Sequence, residues 1–125
     1  MTENEIAKII VDVTFLIHKT LGPGLLESVY EAVMAHELTK RGLRVVRQVP
    51  VPIVHDGIVL EDAFRADLIV NGSVIVELKS VEHVLPVHEA QVITYLKMTG
   101  CKLALLLNFN VARLKNGINR IVNDL

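Results

Sequence analysis

Several kinds of residue and motif are scarce in this chain, and each scarcity narrows its function. It holds one cysteine, Cys101, in 125 residues. An internal disulfide framework is excluded, and a reducing, cytoplasmic setting is expected. Cys101 reads as a small packed residue near the start of a strand. No apolar run approaches the roughly 18 residues of a membrane-spanning helix, so no membrane partner is expected. The opening Thr2-Glu3-Asn4-Glu5 is acidic, unlike a secretory leader. Net charge is only −1, with a pI of about 6.5. A global positive field that would draw in nucleic acid is missing. His18, His36, His55, His83 and His88 show no zinc spacing. There is no G-x-x-x-x-G-K-[ST], no G-x-G-x-x-G and no G-x-S-x-G elbow, so nucleotide-cofactor folds lack support.

What is present is a chain 51% hydrophobic and 22% charged. That composition fits one α/β domain over residues 1–125, large enough to bury a core. Thr2 to Glu5 reads as a capping box. Ile6, Ile9, Ile10, Val13, Leu16, Ile17 and Leu21 follow at helical spacing, and Gly22-Pro23-Gly24 ends that helix. A second helix is expected from about Leu25 to Arg41, stopped by Gly42. Leu43 to Val54 reads as extended, with Pro50 and Pro52 confining it to a sheet edge. Arg44 and Arg47 read as solvated or as contacts for a phosphate backbone. Asp56-Gly57 is a hairpin signal. Pro86 opens a third helix that stops at Gly100. Leu103–Leu107 reads as a buried strand, and Ile118–Val122 as a short closing strand or a frayed tail.

The chain is organised around Arg65–Lys79. Two arms rich in Ile, Val and Leu flank Asn71-Gly72, the strongest short-range hairpin signal. The arms are apolar at nearly every position, as in strands buried on both faces. Asp67, Glu77 and Lys79 sit inside them. Unpaired buried charges cost several kcal/mol, so these three require partners. Two neighbouring carboxylates repel unless a divalent cation lies between them. Register decides whether they meet. A two-residue turn at Asn71-Gly72 would set Asp67 opposite Val76 and send Glu77 to the other face. A three-residue Asn71-Gly72-Ser73 loop, with Gly72 at positive φ, would set Asp67 opposite Glu77, and a bulge would also bring them together. Arg65 shares a face with Asp67, and Lys79 with Glu77. Gln91 and Tyr95 share a helix face, as do Glu27 and Tyr30.

Asp67 followed by Glu77-Leu78-Lys79 resembles the D…(D/E)-x-K signature of the PD-(D/E)XK nuclease superfamily. Gly24-Leu25-Leu26-Glu27-Ser28-Val29-Tyr30 resembles the motif of the GxxExxY protein family within it. Gln91-x-x-x-Tyr95 resembles the motif of the RecB-like exonuclease branch. The order helix, helix, strands ending in a hairpin, helix, strand matches the αβββαβ nuclease core with an extra N-terminal helix. That implies a mixed β-sheet flanked by helices. The resemblance implies a Mg²⁺-dependent nuclease acting on DNA or RNA, with Mn²⁺ able to substitute. Glu27, Asp67, Glu77 and the main-chain oxygen of Leu78 would hold one or two metal ions. Lys79 would orient or deprotonate the attacking water. Gln91 and Tyr95 would place substrate or Lys79, and Arg65 and His88 are further candidates for substrate or acid contact. With so little basic charge, a homodimer or larger assembly is expected. The rival reading is a catalytically silent nuclease-fold module that binds nucleic acid or a protein partner. A third is hydrolysis of another phosphate ester.

Overall fold

A computed structural model describes all of residues 1–125. Thr2 caps helix α1 (Glu3–Leu21). Its hydroxyl accepts from the Glu5 N–H, and the Glu5 carboxylate accepts from the Thr2 N–H. Ile6, Ile10, Val13 and Ile17 are buried on one face of this helix. The chain breaks at Gly22-Pro23-Gly24, and Tyr30 of helix α2 (Glu27–Lys40) holds the break. Its hydroxyl donates to the Gly22 carbonyl at 2.6 Å and accepts from the Leu25 N–H at 3.1 Å. The Tyr30 ring stacks on Phe109 with centroids 4.2 Å apart. No helix is long and apolar enough to cross a membrane.

The five strands are β1 (Val45–His55), β2 (Ile58–Val70), β3 (Val74–Lys79), β4 (Leu103–Asn108) and β5 (Ile118–Val122). They form one sheet in the order β1-β2-β3-β4-β5. Every neighbouring pair is antiparallel except β3 and β4, which run parallel. Two parallel strands cannot be joined by a tight turn, and here helix α3 (Pro86–Thr99) makes the crossover. Ile118–Val122 is thus a true strand, paired with β4.

Two cores lie on opposite faces of the sheet. Residues of α1 and α2 pack with Leu68, Val70, Val74, Val76, Leu78, Leu103 and Leu105. Val92, Tyr95 and Leu96 of α3 pack with Ile75, Ala104 and Leu106. Successive strand residues point to opposite faces, so β3 and β4 feed both cores and must be apolar throughout. This is the mixed-sheet, helix-flanked α/β architecture that the sequence implies.

Strand β1 lies at the sheet edge, as Pro50 and Pro52 require. Asp56 (φ 49°) and Gly57 (φ 79°) form a two-residue turn between His55 and Ile58. The outer part of this ribbon leaves Val54, Ile58, Val59 and Leu60 exposed.

Candidate active site

The hairpin of β2 and β3 places the first two acids. Val70 pairs with Val74, Ile69 with Ile75 and Leu68 with Val76, so the connection is the three-residue loop Asn71-Gly72-Ser73. Asn71 (φ 51°) and Gly72 (φ 66°) both take the left-handed conformation that such a loop needs. Asn71 is held from the side: its N–H donates to the Arg44 carbonyl, and its Oδ1 accepts from the Arg44 N–H, each at 2.8 Å. Continuing the register puts Asp67 opposite Glu77.

There the backbone ladder gives way to side chains. The Asp67 N–H donates to Glu77 Oε1 at 2.9 Å, and the Leu78 N–H donates to Asp67 Oδ2 at 2.9 Å. Each carboxylate stands in for a missing ladder carbonyl, which locks both in place. Glu77 is buried and Asp67 half-buried. Burial pushes the Glu77 carboxyl up to about 8, with the Asp67 charge adding to it. Burial also raises Asp67, against the Leu78 N–H, which favours its ionised form. Lys79 is the positive charge that acts on both acids, and its ammonium forms no ion pair.

Strands β1 and β2 change phase at the same point. Val45 packs on the α1/α2 core, but Val49 and Val51 pack on the α3 core. In β2, Leu68 and Val70 face α1 and α2, but Ala66 faces α3. Residues two or four apart should share a face, so each strand switches between these positions. The switch falls on Gln48 and Asp67, opposite each other in the register. Gln48 takes φ 51°, a conformation that costs a non-glycine residue about 1 kcal/mol or more.

That turn lets two consecutive side chains reach one acid. Arg47 binds Glu31 through Nε at 3.0 Å and Nη2 at 2.9 Å, and the Gln48 amide also donates to Glu31. The same amide lies 3.4 Å from Asp67 Oδ1. Arg47 is therefore an ion-pair partner of Glu31 while its side chain stays about half exposed to solvent. Glu31 and Gln48 were not among the residues singled out from sequence. Glu31 lies one helical turn after Glu27, and that spacing is the signal that could have found it.

An open cleft of about 730 Å³ has Glu27, Glu31, Gln48, Asp67 and Ser80 on its walls, with Arg47, Glu77 and Lys79 outside its lining. Glu27 is exposed, and its carboxylate accepts weakly from the Ser80 N–H at 3.4 Å. It adds to the field at Asp67 without joining the Asp67–Glu77 pair. The Ser80 hydroxyl donates to the Leu25 carbonyl at 2.6 Å, tying the end of β3 to the start of α2. Buried Asn108 fixes the next residue, exchanging bonds with the Val81 N–H and carbonyl.

The remaining candidates are spread around this centre. Tyr95 packs edge-on against Phe64, and burial, with Glu77 and Asp67 nearby, pushes its hydroxyl up to about 12. It packs in the α3 core with Ala66 and Ile75, one and two residues from the acid pair along β2 and β3. No hydrogen bond joins Tyr95 to Gln91, which lies one turn before it. Arg65 pairs with Asp62 at 3.2 Å, and its other guanidinium nitrogen donates to the Gln48 carbonyl at 3.5 Å, so it meets the strand beside the site without bonding a site acid. His88 Nδ1 accepts from the Leu85 N–H at 3.1 Å, capping α3 rather than touching an acid.

The donor set fits a hard divalent cation in part. Asp67 and Glu77 offer carboxylate oxygens of the kind Mg²⁺ and Mn²⁺ prefer, and two adjacent buried acids call for a countercharge. As the side chains stand, no three His, Cys, Asp or Glu residues are gathered closely enough to hold a metal ion. The cleft walls carry Glu27, Glu31 and Asp67 and no cationic side chain. A phosphodiester would be repelled there unless a cation intervened.

Comparison with curated proteins and with solved structures gives no match. A family model described as the PD-(D/E)XK nuclease superfamily matches residues 4–121. That span contains the hairpin acids, Lys79, the α2 acids and α3, and the sheet order agrees with it: the chain belongs to the PD-(D/E)XK nuclease superfamily.

Proposed function

We propose that this chain is a Mg²⁺-dependent phosphodiesterase that cleaves nucleic acid, of the GxxExxY type within its superfamily. The observation that carries this reading is the Asp67–Glu77 pair, cross-bonded through the two strands and flanked by the unpaired Lys79. Asp67 and Glu77 would hold the cation, with Glu27 swinging in from the cleft rim and the Leu78 carbonyl beside them. A bound divalent ion would lower the pKa of its water and offset charge on the scissile phosphate. Lys79 Nζ would orient the attacking water or take its proton. Tyr95, and Gln91 one turn before it on α3, would place the substrate strand or Lys79, as in the RecB-like branch. A domain of this size with net charge −1 grips little duplex, so work as a homodimer or within a larger assembly goes with this reading.

The test is cleavage of labelled single- and double-stranded DNA and RNA with Mg²⁺ or Mn²⁺, wild type beside Lys79→Ala and Asp67→Ala. Cleavage that EDTA abolishes, and that falls by about 10²-fold or more in both variants, is expected. A folded wild type that cuts none of these polymers points to the second reading, a catalytically silent module that binds nucleic acid or a protein.

A further inference from the structure

One strained residue of this molecule lies beside its candidate site. Gln48 is in the middle of a strand, yet its φ is 51°. Neither a turn nor a chain end requires that. Extended backbone would send Arg47 and Gln48 to opposite faces of β1. The left-handed turn brings both side chains to Glu31, which is buried on α2. Carboxylates only accept, so the Gln48 amide must present its N–H groups to Glu31 and to Asp67 Oδ1. Asp67 Oδ2 is taken by the Leu78 N–H. Both oxygens of Asp67 are thereby aimed. A single line of contacts runs from Arg47 through Glu31, Gln48 and Asp67 to the backbone of β3.

We propose that Gln48 is a positioning residue for Asp67, and that Glu31 acts through it as the buried anchor that orients the Gln48 amide. The inference rests on the reading of Asp67 as a cation ligand. Under it, the backbone strain at Gln48 is retained because an unstrained strand would leave the Asp67 carboxylate without its second partner. Arg47 fixes Glu31, so the amide meets an acceptor that does not move. Glu31 is then an acid of the cleft wall that orders the site rather than a ligand.

The variant that separates positioning from structure is Gln48→Gly. Glycine adopts positive φ freely, so the backbone turn is kept and the amide alone is lost. Mn²⁺ is titrated calorimetrically into wild type, Gln48→Gly and Glu31→Gln, with thermal unfolding followed in parallel. Gln48→Gly should unfold close to the wild-type temperature and bind Mn²⁺ about 10- to 100-fold more weakly. Glu31→Gln should weaken Mn²⁺ in the same direction. Wild-type affinity in Gln48→Gly overturns the proposal and leaves the metal reading intact. If Gln48→Gly does not fold, Glu31→Gln decides, and wild-type affinity there overturns the proposal. No Mn²⁺ bound by the wild type overturns this proposal together with the cation reading beneath it.

Discussion

The inner and outer halves of the β1–β2 hairpin use the same residue types and meet opposite surroundings. Near the chain crossing with β3, Leu68 and Val70 are fully buried beneath α1 and α2. Toward the Asp56-Gly57 turn, Ile58, Val59 and Leu60 are each more than half exposed. Apolar composition alone does not decide burial. What differs is whether a helix lies over the ribbon. The candidate site occupies the boundary, where both strands change phase at Gln48 and Asp67. A rigid inner half can hold a carboxylate to fixed bonds on β3. The outer half has nothing to hold it against.

The most disruptive change to this contrast is deletion of Ser73. A two-residue loop would shift the β2–β3 register and turn Glu77 to the opposite face. The apolar set of β3 would move with it. Loss of the cooperative thermal transition, or of Mn²⁺ binding in any folded fraction, is the expected outcome. Next in size is Leu68→Ala in the inner half, which should cost about 2–5 kcal/mol in chemical denaturation.

A smaller effect follows from the acid pair. Glu77 is raised from 4.5 to about 8 in the fold, and Asp67 is raised too. A raised acid binds more protons folded than unfolded, so its contribution is most favourable below the unfolded value. Stability should therefore fall as pH rises from about 4.5 to about 8 and level off above that. Glu77→Gln should flatten this slope in melting experiments across the range. A cation between the acids relieves the same repulsion, so the rise in melting temperature with Mn²⁺ should grow with pH over that window. The smallest effect belongs to the outer half: Ile58→Ala or Val59→Ala should shift stability by no more than about 0.5 kcal/mol. A cost at Ile58 equal to that at Leu68 would erase the distinction between the halves.

Much of the fold was legible in the sequence. The capping box at Thr2, the prolines of β1, Pro86 and Gly100 around α3, and the hairpin at Asn71-Gly72 each encode a local rule that the structure obeys. The site was legible where its residues follow such rules. Asp67, Glu77 and Lys79 stand out as charges in strands that otherwise feed two apolar cores. Their meeting depended on loop length, which the sequence leaves open between two and three residues. Bonding of Asn71 to Arg44, 27 residues away, goes with the longer loop. Glu31, Gln48 and the ion pair of Arg47 were not legible. A strand pattern assumes strict alternation, and the left-handed turn at Gln48 breaks it without a glycine to announce it. Arg65 and His88 show the reverse case. Their spacing suggests the site, but Asp62 and the start of α3 take their polar groups first.

Under the proposed function, Asp67 and Glu77 are set together to share a divalent cation. The most direct measurement is calorimetric titration of Mn²⁺ into the wild type at about pH 8, beside Asp67→Asn and Glu77→Gln. Saturable binding in the wild type that is lost in both variants, while each remains folded, is the expected result. Absence of binding in the wild type, or undiminished binding in both variants, would contradict it.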